Sequence, residues 1–340
     1  MTALDLPETV RRGDLEWCVA RAWPATAGPM PVELRSTDGP DRVRGAWWSS
    51  GRLAVDDAGD DPALPGLTGL DGQVVSHRPG KRAVVRAPGG EAYLKVVRPK
   101  KAAAVVAASD RAAAFGTRFV VPTLERDPSA EARGVVRFTA VPGRTLHALG
   151  ADDSVTDAEW RAAWERWHDD WSAIAGTDAG GAPVHDATAE ADVVREWAEH
   201  AARALPDAAA AIHRQADEVT AGLLRHTSSR LVLAHRDLHD KQLLWDGARL
   251  GLLDVDTVSA AEPELDLANL RAHVDLRVAQ GHWSPDRAHV ARTWIDRTAA
   301  DVGADPERLV AYGAATRLRL ACLYLFRPRW RAWAERTLRG

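Results

Sequence analysis

Residues 231–256 constrain this chain more than any other stretch. An apolar, β-compatible run, Leu231-Val232-Leu233-Ala234, leads into His235-Arg236-Asp237-Leu238-His239-Asp240-Lys241-Gln242. Leu243-Leu244-Trp245 follows, then the turn-forming Asp246-Gly247-Ala248-Arg249. A second apolar run, Leu250-Gly251-Leu252-Leu253, ends at Asp254-Val255-Asp256. The order predicts strand, polar loop, short strand, Asp-Gly turn, strand and acidic terminus. Such a hairpin sets Asp237 and Asp254 near one another at strand ends, with a polar side chain between them. A hairpin with solvated acids is the plain alternative, because lone His-x-Asp triplets are common. The second Asp, after a correctly spaced hairpin, favours a site.

Phosphoryl transfer from a nucleotide needs this kind of arrangement, being mostly positioning and charge neutralisation. One carboxylate orients an acceptor hydroxyl and takes its proton. A second carboxylate, with an amide oxygen, holds magnesium against the phosphates. Asp237 suits the first role, Asp254 and Gln242 the second. The stretch resembles the His-x-Asp-x-x-x-x-Asn catalytic loop and metal-binding Asp of the protein-kinase-like fold. It looks most like the aminoglycoside phosphotransferase family, whose loop begins His-Gly-Asp-Leu-His. Two positions depart from that pattern. Arg236 stands where Gly is common, and Gln242 stands where Asn is usual, as in maltokinase-like sugar kinases. The resemblance implies Mg2+ and ATP or GTP as cofactors, with Asp256 assisting the metal.

The bounds agree with an enzyme of this kind. The 340 residues suffice for one large or two ordinary domains. An apolar fraction of 46% and a charged fraction of 27% are those of a soluble globular protein. The net charge of −4 points to neither nucleic acid nor an anionic membrane as partner. Cys18 and Cys322 form no disulfide framework, which favours a reducing cytoplasm. No apolar signal core or membrane span is present.

Upstream, Gln73–Arg78, Arg82–Arg86 and Glu91–Val97 read as a three-strand meander. Lys95 lies inside its last strand with apolar neighbours on both sides. In the family reading Lys95 reaches the nucleotide phosphates, and the turn Arg78-Pro79-Gly80-Lys81 covers them. Without that reading, Lys95 is an edge-strand lysine. An Ala-rich helix follows, Lys101 to Phe115. Kinase-like folds place an acid there to hold the strand lysine; Asp110 is the residue for that role, the alternative being a solvated helix acid. Phe119–Pro122 and Val135–Val141 read as two further strands. Val141-Pro142-Gly143-Arg144-Thr145-Leu146 resembles the inter-lobe hinge, where backbone around Thr139, Ala140 and Val141 meets the adenine edge.

The flanks are less informative. Leu4 to Arg21 reads as a short helix, and Val32–Arg35 and Val43–Trp48 as short strands. Asp60–Leu67 reads as a turn-rich connector. Trp17, Trp23, Trp47 and Trp48 want burial, so this part forms an extra layer on the N-terminal lobe. Beyond residue 145 the chain turns helical. Thr156-Asp157-Ala158-Glu159 is a capping box. Trp160, Trp164, Trp167 and Trp171 recur at helical spacing and read as core rather than as a sugar-stacking platform. Two helices, 187–205 and 207–226, precede the catalytic stretch. Pro263-Glu264-Leu265-Asp266-Leu267-Ala268 matches a Pro-x-x-Asp-Leu-Ala family element in which Asp266 caps a helix and braces the loop. Three helices close the chain, near 265–280, 285–302 and 306–326.

These readings define an α+β, protein-kinase-like, two-lobe fold. Residues 1–72 form an extension packed on the N-lobe, 73–141 the nucleotide-binding N-lobe, and 142–340 the helical C-lobe with the acceptor site. The expected activity is ATP- or GTP-dependent phosphorylation of a small hydroxylated acceptor, an aminoglycoside-like antibiotic or related natural product. A maltokinase-like sugar kinase and a nucleotide-binding pseudokinase without turnover are the alternatives. An aminoglycoside is polycationic and wants an acidic pocket; Asp152, Asp153, Asp169, Asp170, Asp240 and Asp275 are the acids at hand.

Overall fold

A computed structural model describes residues 4–12, 15–36, 38, 43–55, 59–225 and 230–340. The first five strands, β1 (Thr9–Arg12), β2 (Leu15–Ala22), β3 (Met30–Ser36), β4 (Val43–Ser49) and β5 (Arg52–Val55), form one antiparallel sheet in sequence order. The helix expected over Leu4–Arg21 is therefore two strands. Alternation decides it: Trp17 and Val19 are buried while Glu16 and Cys18 are more exposed, a period of two. The strands expected over 32–35 and 43–48 are present.

A second sheet holds β6 (Gln73–Arg78), β7 (Arg82–Arg86), β8 (Ala92–Val97), β9 (Leu124–Glu125) and β10 (Val135–Thr139) in the order β6-β7-β8-β10-β9. The meander forms as expected. Between β8 and β9, α1 spans Ala102–Ala112, with 3-10 turns at both ends. The strand expected at 119–122 is a single bridge instead. Val120 pairs with Gly251 and ties this segment to the catalytic hairpin.

The sheets meet closely. Gly45 of β4 lies against His77 of β6, where a Cβ would come within 2.7 Å of the imidazole. His77 Nε2 pairs with the buried Asp61 at 3.0 Å, and Asp61 also accepts the Gly80 N–H at 2.8 Å. The first sheet touches the helical lobe too. The Ala22 N–H donates to Phe326 O at 2.8 Å, and Val32, Leu34 and Ala46 share a core with Leu318, Tyr324 and Phe326. Residues expected to pack on the N-lobe thus contact the helical lobe as well.

The remaining helices and strands are α2 (Pro128–Ala132), β11 (Arg144–Thr145), α3 (Leu146–Gly150), α4 (Asp157–Ile174), α5 (Ala187–Ala204), α6 (Ala209–Leu224), β12 (Val232–Ala234), β13 (Leu243–Trp245), β14 (Leu250–Leu252), β15 (Ser259–Ala261), α7 (Glu264–Ala279), α8 (Pro285–Asp301), α9 (Pro306–Tyr324) and α10 (Arg331–Arg339). The sequence reading lacked α10, and residue 226 of its second helix lies outside the described residues. Thr156 caps α4 by accepting the Glu159 N–H at 3.2 Å. Trp160, Trp164, Trp167 and Trp171 are all buried, with Phe115 and Trp283 packed among them. They are core and cannot serve as a stacking platform. His168 is structural, paired with Thr298 at 3.0 Å. Among the described residues, no helix is long and apolar enough to cross a membrane.

Candidate active site

His235 organises the catalytic loop. It is fully buried, and its Nε2–H donates to Leu253 O at 2.8 Å. That fixes the tautomer and leaves Nδ1 to accept the Asp237 N–H at 3.3 Å. One imidazole therefore ties Asp237 to Leu253, the residue just before Asp254, and holds the loop to the end of β14. From below, α7 holds the same loop. Asp266 accepts the His235 N–H at 2.7 Å and the Arg236 N–H at 2.8 Å. Asn269, one turn on, donates to Leu238 O at 2.8 Å. Asp266 braces the loop as expected but does not cap the helix, whose N-cap is Pro263.

Arg236 has φ +73°, the left-handed region where glycine is at ease. That explains the Gly common at this position in the family. A non-glycine residue there costs about 1–2 kcal/mol. Arg236→Gly should accordingly leave the protein about 0.5–1 kcal/mol more stable, after glycine's own entropic cost. Urea denaturation checks this; a loss of stability would show that the attraction between Arg236 and Glu190 outweighs the strain.

Lys95 lies on the face of β8 that meets the cleft. Its ammonium pairs with Asp254, at 3.8 Å, and with Asp256. Burial, then Asp254 opposing it and Arg82 adding to it, leave the Lys95 pKa lowered to about 8. Burial would raise the Asp254 carboxyl, but Lys95 and Arg82 hold it below its ordinary value. Asp254 is also left-handed, at φ +53°; strain at such positions gathers at functional sites.

Asp110 does not join them. Ala102, Ala108 and Ala112 form the buried face of α1, and Asp110, two residues from each of the last two, falls on the opposite side. It is exposed and borders a surface hollow shared with Arg126. Among the described residues, the acids within 4 Å of Lys95 are Asp254 and Asp256.

The turn at Arg78-Gly80 is also used differently from the expectation. The Gly80 N–H is spent on Asp61, and Gly80 O accepts from Arg98 Nε at 2.8 Å. Neither group is available to cover a phosphate. Arg78 lies over the Trp23 ring at 5.1 Å, at the edge of a cavity of about 590 Å³ that Trp47, Trp197 and His200 also line. The cation the sequence reading missed is Arg82. Val84 faces Lys95 across the strands, so Arg82, two residues earlier, shares its face, and Arg82 acts electrostatically on both Lys95 and Asp254. Strand alternation carried that signal.

At the hinge, the Thr139 N–H donates to Thr123 O and the Ala140 N–H to Glu91 O. Of the three expected residues, Val141 has an N–H that makes no backbone hydrogen bond among the described residues.

Beside Asp237, His239 Nδ1 accepts the Lys241 N–H at 3.1 Å, which places the ring proton on Nε2. That nitrogen lies 3.9 Å from Asp237 and 3.4 Å from the Gln242 amide. His239 stacks on His273 with ring centres 4.6 Å apart, and both lie by Asp240. Asp240 is fully buried and committed: Arg277 grips both its oxygens, at 2.7 and 2.9 Å, and His147 adds a third contact at 2.9 Å. Burial alone would raise the Asp240 carboxyl; Arg277 and His147 hold it well below the usual range. Three of the other candidate acids are ion-paired, Asp152 with Arg144, Asp170 with Arg166 and Asp275 with Arg292.

A small antiparallel lobe bearing a cleft lysine, opposed by an Asp-bearing loop on a helical lobe, is the architecture of kinase-like phosphotransferases. The chain belongs to the phosphotransferase enzyme family, whose model matches residues 80–312. Two solved structures with TM-scores above 0.5 agree on the fold. Aminoglycoside phosphotransferase APH(3'')-Id from Streptomyces rimosus ATCC10970 is 22% identical over 71% of this chain and 90% of its own, with TM-score 0.51. A type VIII aminoglycoside-3'-phosphotransferase is 16% identical over 70% and 88%, also at TM-score 0.51. A glucosamine kinase covers 95% of this chain and 92% of its own at 18% identity and TM-score 0.48. No curated protein sequence matches the chain.

Proposed function

We propose that this protein transfers the γ-phosphoryl group of ATP or GTP to a hydroxyl of a small molecule. The carrying observation is the convergence of Asp237, Asp254 and Lys95 on one cleft through the His235 brace. Asp237, with 42% of its side chain exposed, is open to an acceptor, orients its hydroxyl and takes its proton. Lys95 and Arg82 neutralise phosphate charge, and the Val141 N–H meets the base. Asp254, Asp256 and Gln242 present hard oxygen donors, with Asp254 kept ionised, and this set fits Mg2+. Bound there, the ion would supply charge neutralisation at the phosphates. A cytoplasmic location suits such a nucleotide-dependent reaction.

The metal residues should contribute unequally. Asp254→Ala should abolish magnesium-dependent turnover. Gln242 is neutral and shares its amide with His239, so Gln242→Ala should only raise the magnesium concentration needed for half activity. Magnesium titrations of coupled ADP formation across a panel of hydroxyl acceptors test both. If Gln242→Ala titrates like the unmodified protein, Gln242 is no ligand. Magnesium-nucleotide binding with no acceptor-stimulated turnover in any class would favour a pseudokinase.

A further inference from the structure

The wall beside the catalytic loop is cationic, although the chain as a whole carries −4. Lys241 is four residues past Asp237, and a single imidazole separates them: His239 contacts the Asp237 carboxylate at 3.9 Å and the Lys241 N–H at 3.1 Å. The Lys241 side chain lies within electrostatic reach of Arg277, Tyr324 and Arg327. The Arg327 guanidinium carbon lies over Tyr324, 4.1 Å from the ring centre, and its buried Nε has no hydrogen-bond partner among the described residues. Arg277 NH1 reaches the Tyr324 hydroxyl at 3.4 Å. His282 closes the group, its ring 5.2 Å from His147 and within reach of Lys241 and Arg277.

The carboxylates nearby do not balance these charges. Asp240 is consumed by Arg277 and His147. Glu33, which acts on Arg327 from the first sheet, is held by Arg21 at 2.9 Å, Arg35 at 3.0 Å and the His77 N–H. Among the described residues, neither Lys241 nor Arg327 has a carboxylate within 4 Å. Tyr324 records the surplus. Burial would raise its phenol, yet Arg327, Arg277 and Lys241 together pull it below its ordinary pKa. Arg327 stacked over Tyr324 with an unpartnered Nε, Arg277 on the Tyr324 hydroxyl, and Lys241 within their electrostatic reach on the catalytic loop make a cationic cluster suited to an anion.

We propose that the acceptor carries an anionic group, a carboxylate, sulfate or phosphate, and that Lys241 and Arg327, backed by Tyr324, bind it while Asp237 addresses the hydroxyl. This rests on the phosphotransfer reading and reverses the charge expected for an aminoglycoside. The anion fixes the molecule by its charge, and the wall repels a polycation.

The test is calorimetric titration of sulfate into the full-length protein saturated with the magnesium complex of a non-hydrolysable ATP analogue, which fills all three nucleotide phosphate subsites. Binding of that complex, recorded first, tests the phosphotransfer reading separately. Sulfate should bind, and Lys241→Ala and Arg327→Ala should each weaken it by about tenfold or more, while Lys101→Ala on an exposed surface leaves it unchanged. Arg327→Lys, which keeps the charge, guards against a folding defect. A second arm compares glucose, glucosamine, glucuronate and glucose 6-phosphate as acceptors. The two acids separate a carboxylate from a phosphate source. Sulfate binding that is absent, or unaltered in both alanine variants, overturns the proposal, as does better turnover of the neutral or amino sugar.

Discussion

Asp237→Asn should lower kcat by about 10²–10⁴ while leaving Mg·ATP affinity nearly unchanged, because positioned proton acceptors are worth that much. The asymmetry follows from the layout. Asp237 is exposed, with His239 beside it, whereas Asp254, Asp256 and Lys95 form a separate cluster beyond the His235 brace. The amide keeps the shape and the His235 contact to the backbone, so a folding defect is not expected. Steady-state kinetics with calorimetry on the same preparation check it. Unchanged turnover would remove Asp237 from the chemistry.

The second large effect is on stability. Arg277→Met should destabilise the protein by about 3–5 kcal/mol, because it strands the Asp240 carboxylate in the interior. Both partners are buried, Asp240 at 0% and Arg277 at 2% side-chain exposure. The double variant Arg277→Met, Asp240→Leu should recover part of that loss, since the stranded charge is then gone. Linkage gives a further signature. The Asp240 carboxyl is lowered on folding, so the pair stabilises fully above the unfolded value of about 3.9 and loses that contribution as pH falls through the lower folded one. Denaturant midpoints against pH should therefore drop below about pH 4 in the unmodified protein and vary less in the double variant. Equal slopes would place the pair outside the acid response.

The catalytic stretch was legible because its elements are local. Hairpin, turn and loop follow from residues adjacent in sequence, and Asp237, Gln242 and Asp254 fall where the spacing puts them. The Trp stripe was legible for the same reason, one helix carrying one face. Three things were not. The helix read over Leu4–Arg21 failed because short amphipathic segments with one charged gap satisfy either period, and pairing with β3 decided it. Asp110 was placed by distance along the chain, whereas helical phase turns it outward from the buried alanines. Lys241 and Arg327 lie 86 positions apart, and the positive charge they bring around Tyr324 depends on how α9 ends beside the catalytic loop, which no local pattern encodes.

Phosphorus NMR of a complete reaction tests the central claim most directly. With Mg·ATP and an acidic sugar acceptor, a phosphomonoester resonance should grow in step with ADP, and both should vanish in Asp237→Asn. ATP consumed only to inorganic phosphate, at equal rates in the two proteins and with every acceptor, would contradict transfer to a hydroxyl at this site.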